Sequence, residues 1–137
     1  MDFSFTEQQI AFRDTLKNFL KDQSTTSSIR SLWNDSSRFK QSRWDGLKDL
    51  GVIGSLIEEE EGGLGLSDID FVLMAEEAGY AALPEPLVDV GWITASLLNE
   101  LTNNSKENWK AKLANGDLIA LTGHELNKFL VNAHLAD

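Results

Sequence analysis

The chain has 137 residues and a mass of 15.2 kDa, with 42% hydrophobic and 25% charged residues, the proportions of one soluble domain with a core of its own. It contains no cysteine, which excludes disulfides, thiolate metal sites and cysteine nucleophiles. Twelve Lys and Arg against 22 Asp and Glu give a net charge of -10, which argues against nucleic acid or an anionic membrane as partner, because both are held through local positive charge.

In chain order, Met1-Asp2-Phe3-Ser4 lacks the basic and apolar regions of a secretory signal, and no apolar run approaches the roughly 18–20 residues of a membrane span. A cytoplasmic protein is the expectation. Thr6 and Gln9 form a capping box that predicts a first helix to about residue 23, with Phe12, Leu16, Phe19 and Leu20 inward. Polar residues 23–28 break it, and Ser28 is expected to cap a short turn with Ile29, Leu32 and Trp33. A third helix runs from about Ser37 to Leu50 and stops at Gly51, a C-cap glycine. Residues 52–57 read as a short extended run, followed by an acidic, glycine-rich turn, Glu58 to Leu66.

Ser67 with Asp70 opens the fourth helix, which carries Ile69, Val72, Met74, Ala75 and Ala78 on its apolar face and ends at Gly79. Pro84 and Pro86 make a connector. The helix from Leu87 to about Leu101 is nearly uncharged, so it is buried on several sides or lines an apolar cavity. Ser105 begins the last helix, which Gly116 closes. Leu118 to Thr122 and Phe129 to Val131 read as strands. The fold class is therefore mainly α, an orthogonal or up-down bundle of about five helices with a short C-terminal β segment. Residues 1–116 form the helical domain, and 117–137 the start of a β domain.

No constellation supplies an active site by itself. Gly62-Gly63-Leu64-Gly65 follows four glutamates and has no basic residue nearby, so it reads as a tight turn and not as a phosphate cradle. His124 and His134 lack a partner set for a triad or a metal, so no catalytic or metal residue is assigned. Glu76 and Glu77 diverge on their helix and read as a solvated or salt-bridged face. Trp33, Trp44, Trp92 and Trp109 read as core, with Trp92 alone open to a second reading because its helix has apolar surface to spare.

Several segments together resemble the N-terminal domain of the acyl-CoA dehydrogenase family. Residues 1–9 are similar to its opening. Trp44, Leu47, Leu50-Gly51-Val52 and Gly54 match its tryptophan–leucine element, and residues 60–67 its glycine turn. Ala75-Glu76-Glu77-Ala78-Gly79 matches a helix end, and Leu83-Pro84-Glu85-Pro86-Leu87 resembles one bacterial branch. The resemblance implies a helical N-terminal domain beside a β middle domain and a helical C-terminal domain. It also implies FAD as cofactor of the complete enzyme, with none held by this chain alone, and oxidation of an acyl-CoA thioester to the trans-2-enoyl-CoA. Electrons pass to an electron-transferring flavoprotein, and a homo- or hetero-oligomer is expected. The family's glutamate base belongs to the C-terminal domain, so the chain alone is expected to be inactive.

By the same resemblance Leu87, Val90, Gly91, Trp92 and Ala95 lie near the acyl chain, and Leu121 and Thr122 offer backbone groups to the flavin. Two positions depart from the family: His124 stands where a threonine is usual, and Glu58 where many members have proline. The alternative reading is a non-catalytic helical interaction or dimerisation module, a truncated paralogue or partner subunit of a full-length dehydrogenase. A weaker third is a small apolar-ligand binder using a cavity beside Trp92.

Overall fold

The computed structural model describes residues 4–35, 39–100 and 108–117. Among them the chain forms six α-helices, one 3-10 turn at Glu59–Glu61 and one π-helical segment, with no strand. The predicted strands and both histidines lie outside the described residues.

Helix α1 (Glu7–Gln23) starts as its sequence dictates. Gln9 N–H donates to Thr6 Oγ1 at 3.2 Å, and Thr6 N–H donates to Gln9 Oε1 at 2.9 Å, satisfying two orphan donors. Leu16 and Leu20 enter the core, with Phe12 and Phe19 at its margin. Helix α2 (Thr26–Leu32) is capped by Thr25, whose hydroxyl accepts from Ser28 N–H; the Ser28 hydroxyl instead donates to Gln23 O, so it is not the cap. Helix α3 (Gln41–Asp49) begins later than expected, and Ser37 lies outside the described residues. Gly51, at φ 73°, ends it in a Schellman arrangement, with Val52 N–H donating to Leu47 O and Gly51 N–H to Lys48 O.

Residues 52–57 are not extended. All are buried, but the backbone turns, with Ser55 N–H donating to Val52 O and Ile57 N–H to Gly54 O. An apolar run fits either geometry by burial alone. The turns aim the Gly54, Ser55 and Ile57 carbonyls at the amides of Leu64, Leu66 and Gly65, so this segment and the glycine turn satisfy each other.

Helix α4 (Asp68–Tyr80) opens with the Ser67–Asp70 capping box. The hydrogen bonds of Asp70 act on its acidity. Desolvation, the largest single influence, raises its pKa, but hydrogen bonds from the Ser67 hydroxyl, the Ser67 backbone and Gln9 outweigh it and hold the carboxyl below its ordinary value. The inward stripe is Phe71, Met74 and Ala78, joined by Leu73, whereas Ile69 and Val72 are exposed. The helix also runs past Gly79. The left-handed residue is Ala82, at φ 48°, with Leu83 N–H donating to Ala78 O and Ala82 N–H to Gly79 O.

Residues 87–100 are helical throughout, with a π segment at Asp89–Thr94 that continues into α5 (Ala95–Glu100). Helix α6 (Trp109–Ala114) is capped by Asn108 and closed by Gly116, at φ 66°; the expected start, Ser105, lies outside the described residues. Helix α1 packs along α4 and touches α3, while α5 packs on α6. Trp44 is in the core, and its Nε1–H donates to Gly116 O at 3.2 Å. Trp33 and Trp109 are exposed, against expectation: each sits at an end of a short helix, where little chain is available to cover it.

A candidate apolar wall on a pi-helical segment

Leu87–Glu100 carries no basic residue, and its acids are Asp89 and Glu100 alone, so its surface is apolar to weakly acidic. The connector before it is held by a buried ion pair. Arg43 Nε donates to Glu85 Oε2 at 2.6 Å and Arg43 Nη2 to Glu85 Oε1 at 2.8 Å, with both side chains fully shielded from solvent. Arg43 Nη1 donates to Gln23 O and Lys40 N–H to Glu85 Oε1, each at 3.0 Å. The end of α1, the start of α3 and the Pro84-Glu85-Pro86 bend thus meet at one charge-assisted cluster. Sequence reading passed over both residues. The available signal was an arginine four residues before Leu47 on the inward stripe of α3, and a lone acid between two prolines.

Beyond the connector the sequence-predicted residues separate. Leu87, Val90 and Ala95 are buried in this chain's own core. Gly91 is also buried: a β-carbon there would sit 3.0 Å from the Phe71 ring and 3.3 Å from Ile53 O. Trp92 is partly buried, and its ring is tilted on Phe71 with centroids 5.7 Å apart. The outward face of the same helix carries Val88, Ile93 and Leu97 beside Asp89, all exposed. Among the described residues the helix is therefore not fully sheathed. Beside its start, Ala75, Ala78 and Gly79 of α4 face Pro86, Leu87 and Val88 across a cleft of about 380 Å³. Small residues on one wall leave that space open.

The glycine turn is not a phosphate site. The amides of Gly62, Gly63, Leu64, Gly65 and Leu66 donate to Glu59, Glu58, Gly54, Ile57 and Ser55 carbonyls at 2.8–3.2 Å, so none is free to meet an anion. With four glutamates preceding it, the turn does not fit the pyrophosphate of a dinucleotide. The two residues assigned to the flavin, Leu121 and Thr122, lie outside the described residues. Among the described residues no group of three or more His, Cys, Asp or Glu is placed to hold a metal, and no helix is long and apolar enough to cross a membrane.

Comparison with known proteins agrees with this architecture. No curated protein sequence matches the chain. A solved structure described as "Tcur3481-Tcur3483 steroid ACAD G363A variant" superposes with a TM-score of 0.74 at 22% identity, over 80% of this chain and 30% of that one. At that identity the likeness shows the fold, and the present chain spans less than a third of that protein's length. The family model "Acyl-CoA dehydrogenase, N-terminal domain" matches residues 6–117, which is most of the sequence, and the chain belongs to that family.

Proposed function

We propose that this chain is the N-terminal portion of an FAD-dependent acyl-CoA dehydrogenase, inactive alone, which supplies one apolar wall of the acyl chamber and a packing surface for neighbouring domains or subunits. The observation that carries the reading is the nearly uncharged helix 87–100: its inner side is seated in the core while Val88, Ile93 and Leu97 remain exposed. An isolated domain gains nothing from an apolar outward face on its least charged helix; a domain that closes a dry chamber needs one.

In this reading Leu87, Val90, Gly91 and Ala95 back the wall, Trp92 is its partly accessible edge, and Val88, Ile93 and Leu97 give it apolar surface. A thioester α-proton is weakly acidic, so excluding water is a real contribution to the chemistry, and a helix without basic side chains does that without competing for the developing enolate. The flavin accepts a hydride in the complete enzyme. The glycine turn, its amides all committed to carbonyls, does not hold the cofactor's phosphates. Leu121 and Thr122 are kept as its contacts by family resemblance alone. Acyl-CoA as substrate, an electron-transferring flavoprotein as redox partner, an oligomeric state and a cytoplasmic location belong to the same proposal.

The test is co-expression of the chain with the polypeptide encoded directly downstream. The expected result is a co-purifying yellow assembly whose flavin absorbance bleaches on adding acyl-CoA. A closed dimer of this chain alone, with no flavin under any pairing, would sink the dehydrogenase reading and establish the interaction module in its place.

A further inference from the structure

The Asp89–Thr94 segment is a π turn inside an otherwise α-helical stretch, an insertion of one residue that costs regular hydrogen bonding and recurs at functional sites. Three features hold it. Before it, Glu85 is locked by Arg43, and Val90 N–H donates to Pro86 O at 3.0 Å, so the helix starts from a fixed point. Within it, Thr94 Oγ1 donates to the Asp89 carbonyl five residues earlier at 2.9 Å, spanning the wide turn with a side chain. After it, Asn99 Nδ2 donates to Leu56 O at 2.8 Å, tying α5 to the buried 52–57 turn. Gly91 completes the seat, since that position approaches the Phe71 ring and Ile53 O too closely for a comfortable β-carbon.

The turn changes which way side chains leave the helix. Asp89, Ile93 and Leu97 are exposed at steps of four. In a regular α-helix each such step rotates about 40°, and two steps would carry Leu97 toward the buried side occupied by Val90. The wider turn takes up part of that drift, keeping Ile93 and Leu97 outward while Thr94 and Ala95 stay in the core.

We propose that Thr94 and Asn99 are positioning residues: they hold the π turn in place and thereby fix the outward presentation of Ile93 and Leu97, and the tilt of Trp92, toward the acyl chain. This rests on the reading of the helix as an acyl-chamber wall, and it names residues that do not touch the substrate themselves.

The experiment uses the full chain labelled with 5-fluorotryptophan, whose four fluorine resonances are assigned by single Trp→Phe variants, together with amide hydrogen exchange. In Thr94→Val and in Asn99→Ala, the amides of residues 89–98 exchange about tenfold faster, the factor one lost hydrogen bond is worth. The Trp92 resonance moves, while Trp44 and the amides of Leu16 and Leu20 keep their wild-type values. Thr94→Ser, which retains the hydroxyl, restores the Trp92 resonance. In the flavin-bearing assembly, Thr94→Val raises the acyl-CoA concentration for half-maximal bleaching severalfold. Unchanged exchange and an unmoved Trp92 line in both variants would overturn the proposal. So would changes shared equally by Trp44 and α1, which mark general destabilisation, or an unaltered half-bleaching concentration. The spectra need neither flavin nor acyl-CoA, so a wild-type assembly that never bleaches counts against the functional reading and leaves the two clamps to be judged on their own signals.

Discussion

Arg43 and Glu85, 42 positions apart in sequence, form a two-pronged ion pair with no solvent exposure on either side chain. Removing charge from one side leaves the other buried and unmatched. Glu85→Gln or Arg43→Met alone is therefore expected to lower unfolding free energy by about 3–5 kcal/mol. The joint Arg43→Met, Glu85→Leu replacement recovers part of that loss, because neither charge then needs solvation, while Gln23 O and Lys40 N–H still lose their partners. Urea denaturation of the three variants checks this; a double variant as unstable as the worse single one would contradict it.

Adjacent glycines of the acidic turn differ in what they tolerate. At Gly63 a β-carbon would lie 2.1 Å from Ile57 O and 2.6 Å from Gly54 O, both backbone atoms that cannot swing away. At Gly62 nothing lies within 4 Å, and the strain comes from φ of 89° alone. Gly62→Ala is expected to cost about 1–2 kcal/mol, whereas Gly63→Ala costs clearly more, in the range above about 4 kcal/mol that marks a forced backbone shift. Thermal or urea unfolding of the pair measures the gap, and equal losses would refute it.

Ala82 occupies the left-handed position after α4 that glycine usually holds. Ala82→Gly relieves about 1–2 kcal/mol of steric strain and gives back part of it through the greater freedom of the unfolded chain. A net gain of about 0.5–1 kcal/mol is expected, seen as a higher denaturation midpoint at unchanged slope.

Asp70 gives the chain an acid-sensitive cap. Its carboxyl sits below its ordinary value because the hydrogen bonds from Ser67 and Gln9 outweigh desolvation. A lowered folded-state pKa means this contribution is fully present above the unfolded-state value of about 3.9 and fades as pH falls through the folded one. Wild type minus Asp70→Asn stability should be flat from neutral pH to about pH 5 and shrink below about pH 4. A difference that persists unchanged into strong acid would be the wrong sign for this cap.

What could be read from the sequence was what is settled within a few residues. The Thr6–Gln9 and Ser67–Asp70 boxes and the stops at Gly51 and Gly116 each involve partners no more than five positions apart, and all four formed as expected. The Arg43–Glu85 pair was missed because its partners are brought together only by the packing of α1, α3 and the connector. The same holds for residues 52–57: their turns answer amides of the glycine loop, which no period of hydrophobicity records. At the candidate wall, composition alone identified the helix. It did not identify which side faces out, because the π turn shifts the register on which a helical wheel depends. Leu87, Val90, Gly91, Trp92 and Ala95 come from the family resemblance, and the structure adds that Ile93 and Leu97 of the same helix are the exposed apolar residues.

Trp44 holds the carbonyl of Gly116 at 3.2 Å and Lys48 reaches the Asp117 carboxylate at 3.3 Å, so two side chains of α3 grip the polypeptide where it leaves the bundle. The Trp44 bond is partly buried, whereas the Lys48–Asp117 pair is solvent-exposed and adds little to the hold. The closing turn of α6 is thereby tied to the same helix whose Arg43 holds Glu85, so the anchor of the connector and the end of the last described helix share one rigid element.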